Sequence, residues 1–264
     1  MRIVTWNINS VRLRLPLLLR LIDETAPDVI CLQETKVVDD SFPMAAIAER
    51  GYNFGHVHGM KSYNGVAILS RLPLTDCARR NWCGREDCRH AIAELPGDVE
   101  LHSVYVPSGG DIPDPVANPK FAHKLQFLDE MAGWCGERQD PARRRIMLGD
   151  FNIAPLEHDV WSHKQMQDVV SHTAIEIEKL TALQQAGNWV DVGRHFVPAN
   201  EKLYTWWSYR AQDWNVSNRG RHLDHIWVSP ALVPALAGYQ VLRDARGWEP
   251  KPSDHVPVLV DLAL

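Results

Sequence analysis

The stretch Ile146-Met147-Leu148-Gly149-Asp150-Phe151-Asn152 is an apolar run that stops abruptly at a carboxylate and an amide. It has the pattern of a buried strand that delivers polar side chains to a cleft. Residues two apart in a strand share a face, so Asp150 and Asn152 are expected to reach one reacting group while Phe151 turns back into the core. Asn7, Glu34, Tyr105, Asp224 and the pair Asp254-His255 also lie at or beside the ends of apolar runs. Convergence of these residues on the Asp150 rim is the central structural expectation.

The bulk numbers bound what such a rim serves. A chain of 264 residues, 45% apolar, can bury a large core, and one compact domain over 1–264 is expected. No stretch approaches the roughly 18 consecutive apolar residues of a spanning helix. The N-terminus enters a strand pattern at once instead of a signal peptide. A soluble, cytoplasmic protein without a membrane partner is therefore expected. The five cysteines are an odd number without framework spacing, which fits free thiols. Cys83, Cys88 and His90 stand close in sequence, but they match no common zinc spacing and read as ordinary side chains. A net charge of −5 argues against a dedicated nucleic-acid-binding module. It does not argue against an enzyme whose acidic cleft is neutralised by a divalent cation. Arg143-Arg144-Arg145 reads as a solvated loop before a strand.

Along the chain, Arg2 to Trp6 alternates as a strand with one buried face would, ending at Asn7. Ser10 is placed to cap a helix running to about Thr25, with Leu13, Leu17, Leu18, Leu21 and Ile22 on one face. Val29 to Leu32 is a continuous apolar run that delivers Gln33 and Glu34. After a short helix between Pro43 and Gly51, strands are expected over 52–58, 65–70, 90–95 and 99–106, antiparallel where their links are short. A Gly-, Pro- and Asp-rich loop leads into a helix from Lys120 to Trp134. The mostly polar stretch after Ala154 is a candidate substrate-facing insertion, followed by a helix carrying Ile175, Ile177, Leu180 and Leu183. Strands near 223–229, 239–242 and 256–262 close the chain. Both halves carry strands that end in polar residues, so two similar layers packed face to face are expected.

Glu34 and Asp150 suit a hard divalent cation, which takes oxygen ligands. Asp254-His255, with Asp224 nearby, permits an imidazole oriented by a carboxylate. No nucleophile-elbow pattern is present, so serine-based catalysis is disfavoured. Trp206 and Trp207, beside Tyr209, Arg210, Arg219 and Arg221, read as a partly exposed wall for stacking and phosphate contact.

Trp6-Asn7-Ile8-Asn9, Leu32-Gln33-Glu34-Thr35-Lys36, Gly65-Val66-Ala67-Ile68-Leu69, Gly149-Asp150-Phe151-Asn152, Leu223-Asp224 and Ser253-Asp254-His255-Val256-Pro257-Val258 together resemble the exonuclease III family of DNA-repair nucleases. The resemblance covers nearly the whole chain, in the family's order. It implies an α/β fold, a four-layer α/β sandwich of two packed mixed β-sheets flanked by helices. It also implies Mg²⁺-dependent phosphodiester hydrolysis, with Mn²⁺ as a substitute ion. By the resemblance, Glu34 binds the metal with Asn7 and Asp254 in support, and Asp150 positions or deprotonates the attacking water. Asn152 and Tyr105 hold the phosphate, and His255 with Asp224 stabilises developing charge. The sequence leaves open whether Asp150 or a metal-carried hydroxide is the base.

The implied partner is double-stranded DNA with abasic sites or 3′ ends, contacted by Trp206, Arg210, Arg221, Tyr63 and Lys124. The implied setting is a monomer in the cytoplasm, at the nucleoid in a prokaryote. Two departures bear on specificity. Arg221 takes a pocket position that is usually apolar, and the segment containing His172 replaces a common family stretch, so either residue is placed to obstruct a flipped-out sugar. A nuclease specific for 3′ ends, a lipid or inositol-phosphate phosphodiesterase of the same superfamily and a catalytically silent DNA-damage binder are the competing readings. The intact acids disfavour the last.

Overall fold

The computed structural model describes residues 1–264, and its first strand is more deeply placed than its alternating sequence predicts. β1 (Arg2–Asn7) is buried on both faces from Ile3 onward. Val4 and Trp6 pack under α1 (Leu15–Thr25) against Leu17, Leu18, Leu21 and Ile22. Ile3 and Thr5 turn the other way, and the Thr5 hydroxyl is satisfied by the Gln33 side chain, which makes its burial tolerable. The helix does not start near Ser10. Asn9 and Ser10 adopt left-handed φ values of 49° and 86°, so the chain turns before it winds, and Leu13 is left exposed.

The chain continues through β2 (Val29–Gln33), α2 (Met44–Ala48), β3 (Phe54–His58), β4 (Val66–Ser70), β5 (Thr75–Arg79), β6 (His90–Leu95), β7 (Val99–Tyr105) and α3 (Pro119–Glu137). Then follow β8 (Arg144–Asp150), α4 (His163–Met166), α5 (Ala174–Ala186), β9 (Val190–Asp191), α6 (Val192–Phe196), β10 (Trp206–Trp207) and α7 (Trp214–Ser217). β11 (Gly220–Arg221), β12 (Asp224–Val228), β13 (Leu236–Val241) and β14 (Val258–Leu262) complete it. β5 leaves no apolar signature because every one of its side chains is exposed. It is held as an edge strand by its ladder with β6.

Two six-stranded sheets result, in the orders β13-β14-β1-β2-β4-β3 and β5-β6-β7-β8-β12-β9. Each has one parallel pair, β1 with β2 and β7 with β8, and antiparallel neighbours on either side. The two sheets therefore share one orientation pattern, which bears out the expected likeness of the two layers. Each parallel pair needs a crossover helix, and α1 and α3 supply them. Ile3, Val29, Cys31, Val66 and Ile68 meet Ala91, Leu101, Ile146, Leu148 and Ile226 between the sheets. On the far side, Val104, Met147 and Trp227 pack against Phe127, Leu128 and Met131 of α3 and Leu180 and Leu183 of α5. The layers run helix, sheet, sheet, helix. This is the four-layer sandwich of two mixed sheets.

Two local expectations are corrected, for α5 and for the arginine run. α5 does not bury the whole apolar set read for it, since Ile175 is exposed and Glu176 points inward instead. Arg143 pairs with Glu94 at 2.6 Å, Arg144 donates to Gly97 O, and Arg145 is buried over the Trp189 ring, so the run braces the base of β8 and is not a free loop. Cys83, Cys88 and His90 form no metal-ligand group. His90 faces His102 at 3.0 Å, Cys88 Sγ donates to Gly59 O, and all five cysteines are free thiols. No helix is long and apolar enough to cross a membrane.

Candidate active site

The site forms where strand ends from both sheets meet along one rim. Asn7 closes β1, Tyr105 closes β7 and Asp150 closes β8. Asp224 opens β12 directly opposite Asp150, because β12 runs antiparallel to β8. His255 precedes β14, antiparallel to β1, and Glu34 follows β2. Gly149 permits this approach. Its φ is +141°, and a Cβ there would lie 1.9 Å from Val104 O on the paired β7, which only glycine avoids.

One amide joins the two sheets' acids. Asn7 Nδ2 donates to Glu34 Oε1 and to Asp150 Oδ2, each at 2.9 Å. Tyr105 OH donates to the same Glu34 oxygen at 2.9 Å. Asn152 donates its backbone N–H to Asp150 Oδ1 at 2.9 Å and its side-chain amide to Asp150 Oδ2 at 3.1 Å. Asp150 and Asn152 do meet, but not as neighbours on one face of a strand. Asn152 lies past the end of β8 with φ +54°, and a turn folds its amide back onto Asp150. Phe151 enters the core as expected.

His255 stands between two carboxylates, with Nδ1 donating to Asp224 Oδ2 at 2.9 Å and Nε2 facing Asp150 Oδ2 at 3.6 Å. Burial opposes a charged imidazole, but Asp224 and Asp150 outweigh it and hold His255 above its ordinary range. Burial pushes the Asp150 carboxyl upward, with His255 pulling it back and Asp224 reinforcing the rise. For Glu34, burial is outweighed by the Lys36 ammonium and the Asn7 amide, which keep it low and ionised. Burial, reinforced by Glu34 and Asp150, drives the Tyr105 phenol well above its usual value, so it stays a hydrogen-bond donor.

Asp254 is not brought to Glu34. Its two oxygens accept from Trp206 Nε1 at 3.0 Å and Asn9 Nδ2 at 3.2 Å. It connects to the rest of the rim through Asn9, whose Oδ1 accepts from Lys36 Nζ at 2.7 Å while Lys36 sits 2.7 Å from Glu34 Oε2, and through Ser253 Oγ, which donates to Asn7 O at 2.7 Å. Lys36, Asn9 and Thr205 are the contributors that sequence reading passed over. Thr205 Oγ1 donates to Asp224 Oδ2 at 2.6 Å and accepts the Leu223 and Asp224 N–H groups. The only signals for them were positional, two residues after Asn7 and Glu34 and next to Trp206.

The oxygen donors fit a hard divalent cation. A lysine ammonium already rests on Glu34 Oε2 and Asn9 Oδ1 as a stand-in cation, and the buried Asp224 Oδ1 has no protein partner. Asp150, Asp224 and His255 also present ligand atoms within 4.8 Å of one another. In that trio His255 Nδ1 is already committed to Asp224 Oδ2, which leaves Nε2 as its one ring nitrogen toward Asp150.

The residues expected at DNA divide sharply. Tyr63 and Arg210 are exposed, and Tyr63 lines a cleft of about 490 Å³ that reaches Glu34, Lys36 and Tyr105. Trp206 and Arg221 are paired across the β10–β11 ladder, and the Arg221 guanidinium lies 4.9 Å over the Trp206 ring. Lys124 is a correction. It is fully buried beneath the rim and paired with Glu176, so its ammonium cannot meet a phosphate at the surface. His172 is a second correction. It too is buried, bonded to Ala154 O and to His163 at 2.8 Å.

Residues 4–255 match the model of the Endonuclease/Exonuclease/phosphatase family. The chain is 29% identical to Exodeoxyribonuclease III of Haemophilus influenzae, with 98% of each chain covered. Among solved structures it superposes on an AP endonuclease from Archaeoglobus fulgidus with a TM-score of 0.92 and 30% identity, covering all of both chains. A 3′-5′ exonuclease (NExo) from Neisseria meningitidis gives 0.90 and 31%, again covering all of both. With the family match, the shared four-layer sandwich and a rim of acids, amides and one histidine, the chain belongs to the Endonuclease/Exonuclease/phosphatase family, in its exonuclease III branch.

Proposed function

We propose that this protein is a Mg²⁺-dependent DNA-repair phosphodiesterase acting on duplex DNA at 3′ ends and at abasic sites. The observation that carries this reading is the Asn7 amide bonded to Glu34 and Asp150 at once, which supports reading one acid as the cation's ligand and its neighbour as the acceptor of the water's proton. The relatives' names, an exodeoxyribonuclease III, an AP endonuclease and a 3′-5′ exonuclease, supply the substrate class. The reading takes residues 1–264 as one catalytic domain, working as a cytoplasmic monomer.

Glu34, with Asn7 beside it, would hold the cation, and Mn²⁺ would serve in its place. A bound divalent ion supplies neutralisation of charge on a phosphoryl oxygen. Asp150 orients a water for in-line attack and accepts its proton, a role suited by its upward-shifted carboxyl. Asn152 aligns Asp150 with its backbone N–H and side-chain amide, and on this reading the same amide meets the phosphate. The His255 imidazolium, held by Asp224, meets negative charge as it develops, and Tyr105 keeps a donor on the Glu34 side.

One observation favours a narrower reading, a 3′-end nuclease that does not cut at abasic sites. The Arg221 guanidinium lies over the Trp206 ring, anchored to Ser171 Oγ at 3.0 Å and Val170 O at 3.3 Å, and puts a cation against the aromatic face. Two labelled duplexes, one with an internal abasic analogue and one with a recessed 3′ end, separate the readings. Chelator should abolish hydrolysis and Mg²⁺ restore it. Cutting of both supports the broad reading, and trimming alone that becomes internal cutting in Arg221→Leu supports the narrow one. Activity that persists in chelator, or turnover of inositol-phosphate lipids but not DNA, refutes both.

A further inference from the structure

The strongest feature outside the site itself is the buried ion pair of Lys124 on α3 and Glu176 on α5, neither of which has any solvent-exposed surface. Such a pair is a poor source of stability, because desolvating both charges offsets their attraction. Its hydrogen bonds point to another use. Lys124 Nζ spends its remaining donors on Asn152 O at 2.8 Å and Ser108 O at 3.3 Å. Glu176 accepts the Ser171 N–H with both oxygens, at 3.0 and 2.9 Å, and also takes the Thr173 N–H and hydroxyl.

Both backbone positions it holds are left-handed. Asn152 has φ +54°, which asparagine tolerates, and Ser171 has φ +89°, which serine rarely adopts without support. Each faces the site by a different route. Asn152 presents its amides to Asp150, and Ser171 Oγ accepts from Arg221 on the Trp206 ring. The two segments are also tied directly, by Ala154 N–H donating to Ser171 O at 2.8 Å.

We propose that Lys124 and Glu176 are positioning residues, which hold the Asn152 turn and the Ser171–Arg221 rim in register so that hydrolysis and substrate choice are set from one buried point. The inference rests on the nuclease reading above. An apolar pair would fill the same volume but leave Asn152 O and Ser171 N–H without partners. Lysine meets the first and glutamate the second.

The test uses the full-length chain with Mg²⁺ and the two duplexes. Lys124→Met with Glu176→Gln removes both charges, keeps an acceptor for Ser171 N–H, and deprives Asn152 O of its donor. We expect a folded double variant whose kcat on both duplexes falls about tenfold or more while KM changes less than about threefold. In Ser171→Ala, which removes the shorter of the two Arg221 contacts and leaves that to Val170 O, the ratio of abasic cutting to end trimming should shift at least threefold. If the double variant does not fold by circular dichroism, Lys124→Arg, which keeps the charge but moves the donors, gives the same kcat reading. Wild-type kcat in a folded variant overturns the Lys124 role, and an unchanged ratio in Ser171→Ala overturns the rim half. A wild-type protein that cuts neither duplex is instead the failure of the nuclease reading itself.

Discussion

Thr205 shows how much of the site's precision sits one residue away from the reacting groups. Its hydroxyl donates to Asp224, and Asp224 in turn fixes the His255 ring. Thr205→Val keeps the shape and removes the donor, leaving Asp224 and two backbone N–H groups short of a partner. A fall in kcat of about tenfold with little change in DNA affinity is expected, read by steady-state kinetics and a binding titration. Unchanged kcat would remove Thr205 from the orienting chain. At this scale the sequence was legible where a polar residue ends an apolar run, which singled out Asn7, Glu34, Tyr105, Asp150, Asp224 and His255. It was not legible for Lys124 or His172. A lone lysine on a helix or a histidine in a polar loop looks solvated unless its buried acceptor is known, and Glu176 and Ala154 O lie far off in sequence.

At the scale of elements, strand pairing and buried charge decide tolerance. Gly149→Ala forces a Cβ into Val104 O at the centre of the β7–β8 ladder, where backbone cannot give way. A loss of more than about 4 kcal/mol is expected, visible as a collapsed thermal transition. Asp159 tests a charge instead. It is fully buried and accepts from His222 at 3.0 Å and from Arg194, and these outweigh burial to hold its carboxyl far below the usual range. A depressed folded pKa means that the unfolded chain binds the proton first. The contribution is therefore present above about pH 4 and is lost as pH falls below it. Asp159→Asn should cost roughly 3 kcal/mol at pH 7 and flatten the acid limb of stability, measured by urea midpoints from pH 7 to 3. A parallel acid limb in the variant would remove Asp159 as its cause. Elements with a buried stripe, such as α1, α3 and β8, were readable from their period. β5 was not, because an edge strand held by backbone bonds carries no apolar code.

For the whole molecule, a net charge of −5 means that duplex DNA is held by local contacts against a repulsive average field. Arg143 and Arg144 brace the end of β8 opposite Asp150, so charge reversal at Arg144 should leave DNA affinity within about twofold. Arg210→Glu, at an exposed position just past β10, should weaken binding and make the salt slope shallower by about one. Equal losses for the two variants would place the DNA face elsewhere. The layered fold was foreseen from two halves with like strand endings. The shared orientation pattern of the two sheets was not, because register and crossover are set by contacts distant in sequence. The central claim is that Asp150, held between Asn7, Asn152 and His255, drives phosphodiester hydrolysis. The most direct measurement is the single-turnover rate on a recessed duplex with Mg²⁺, at saturating enzyme, for wild type and Asp150→Asn. A drop of about 10²-fold or more with DNA affinity retained is the predicted result, and a near wild-type rate would contradict the account.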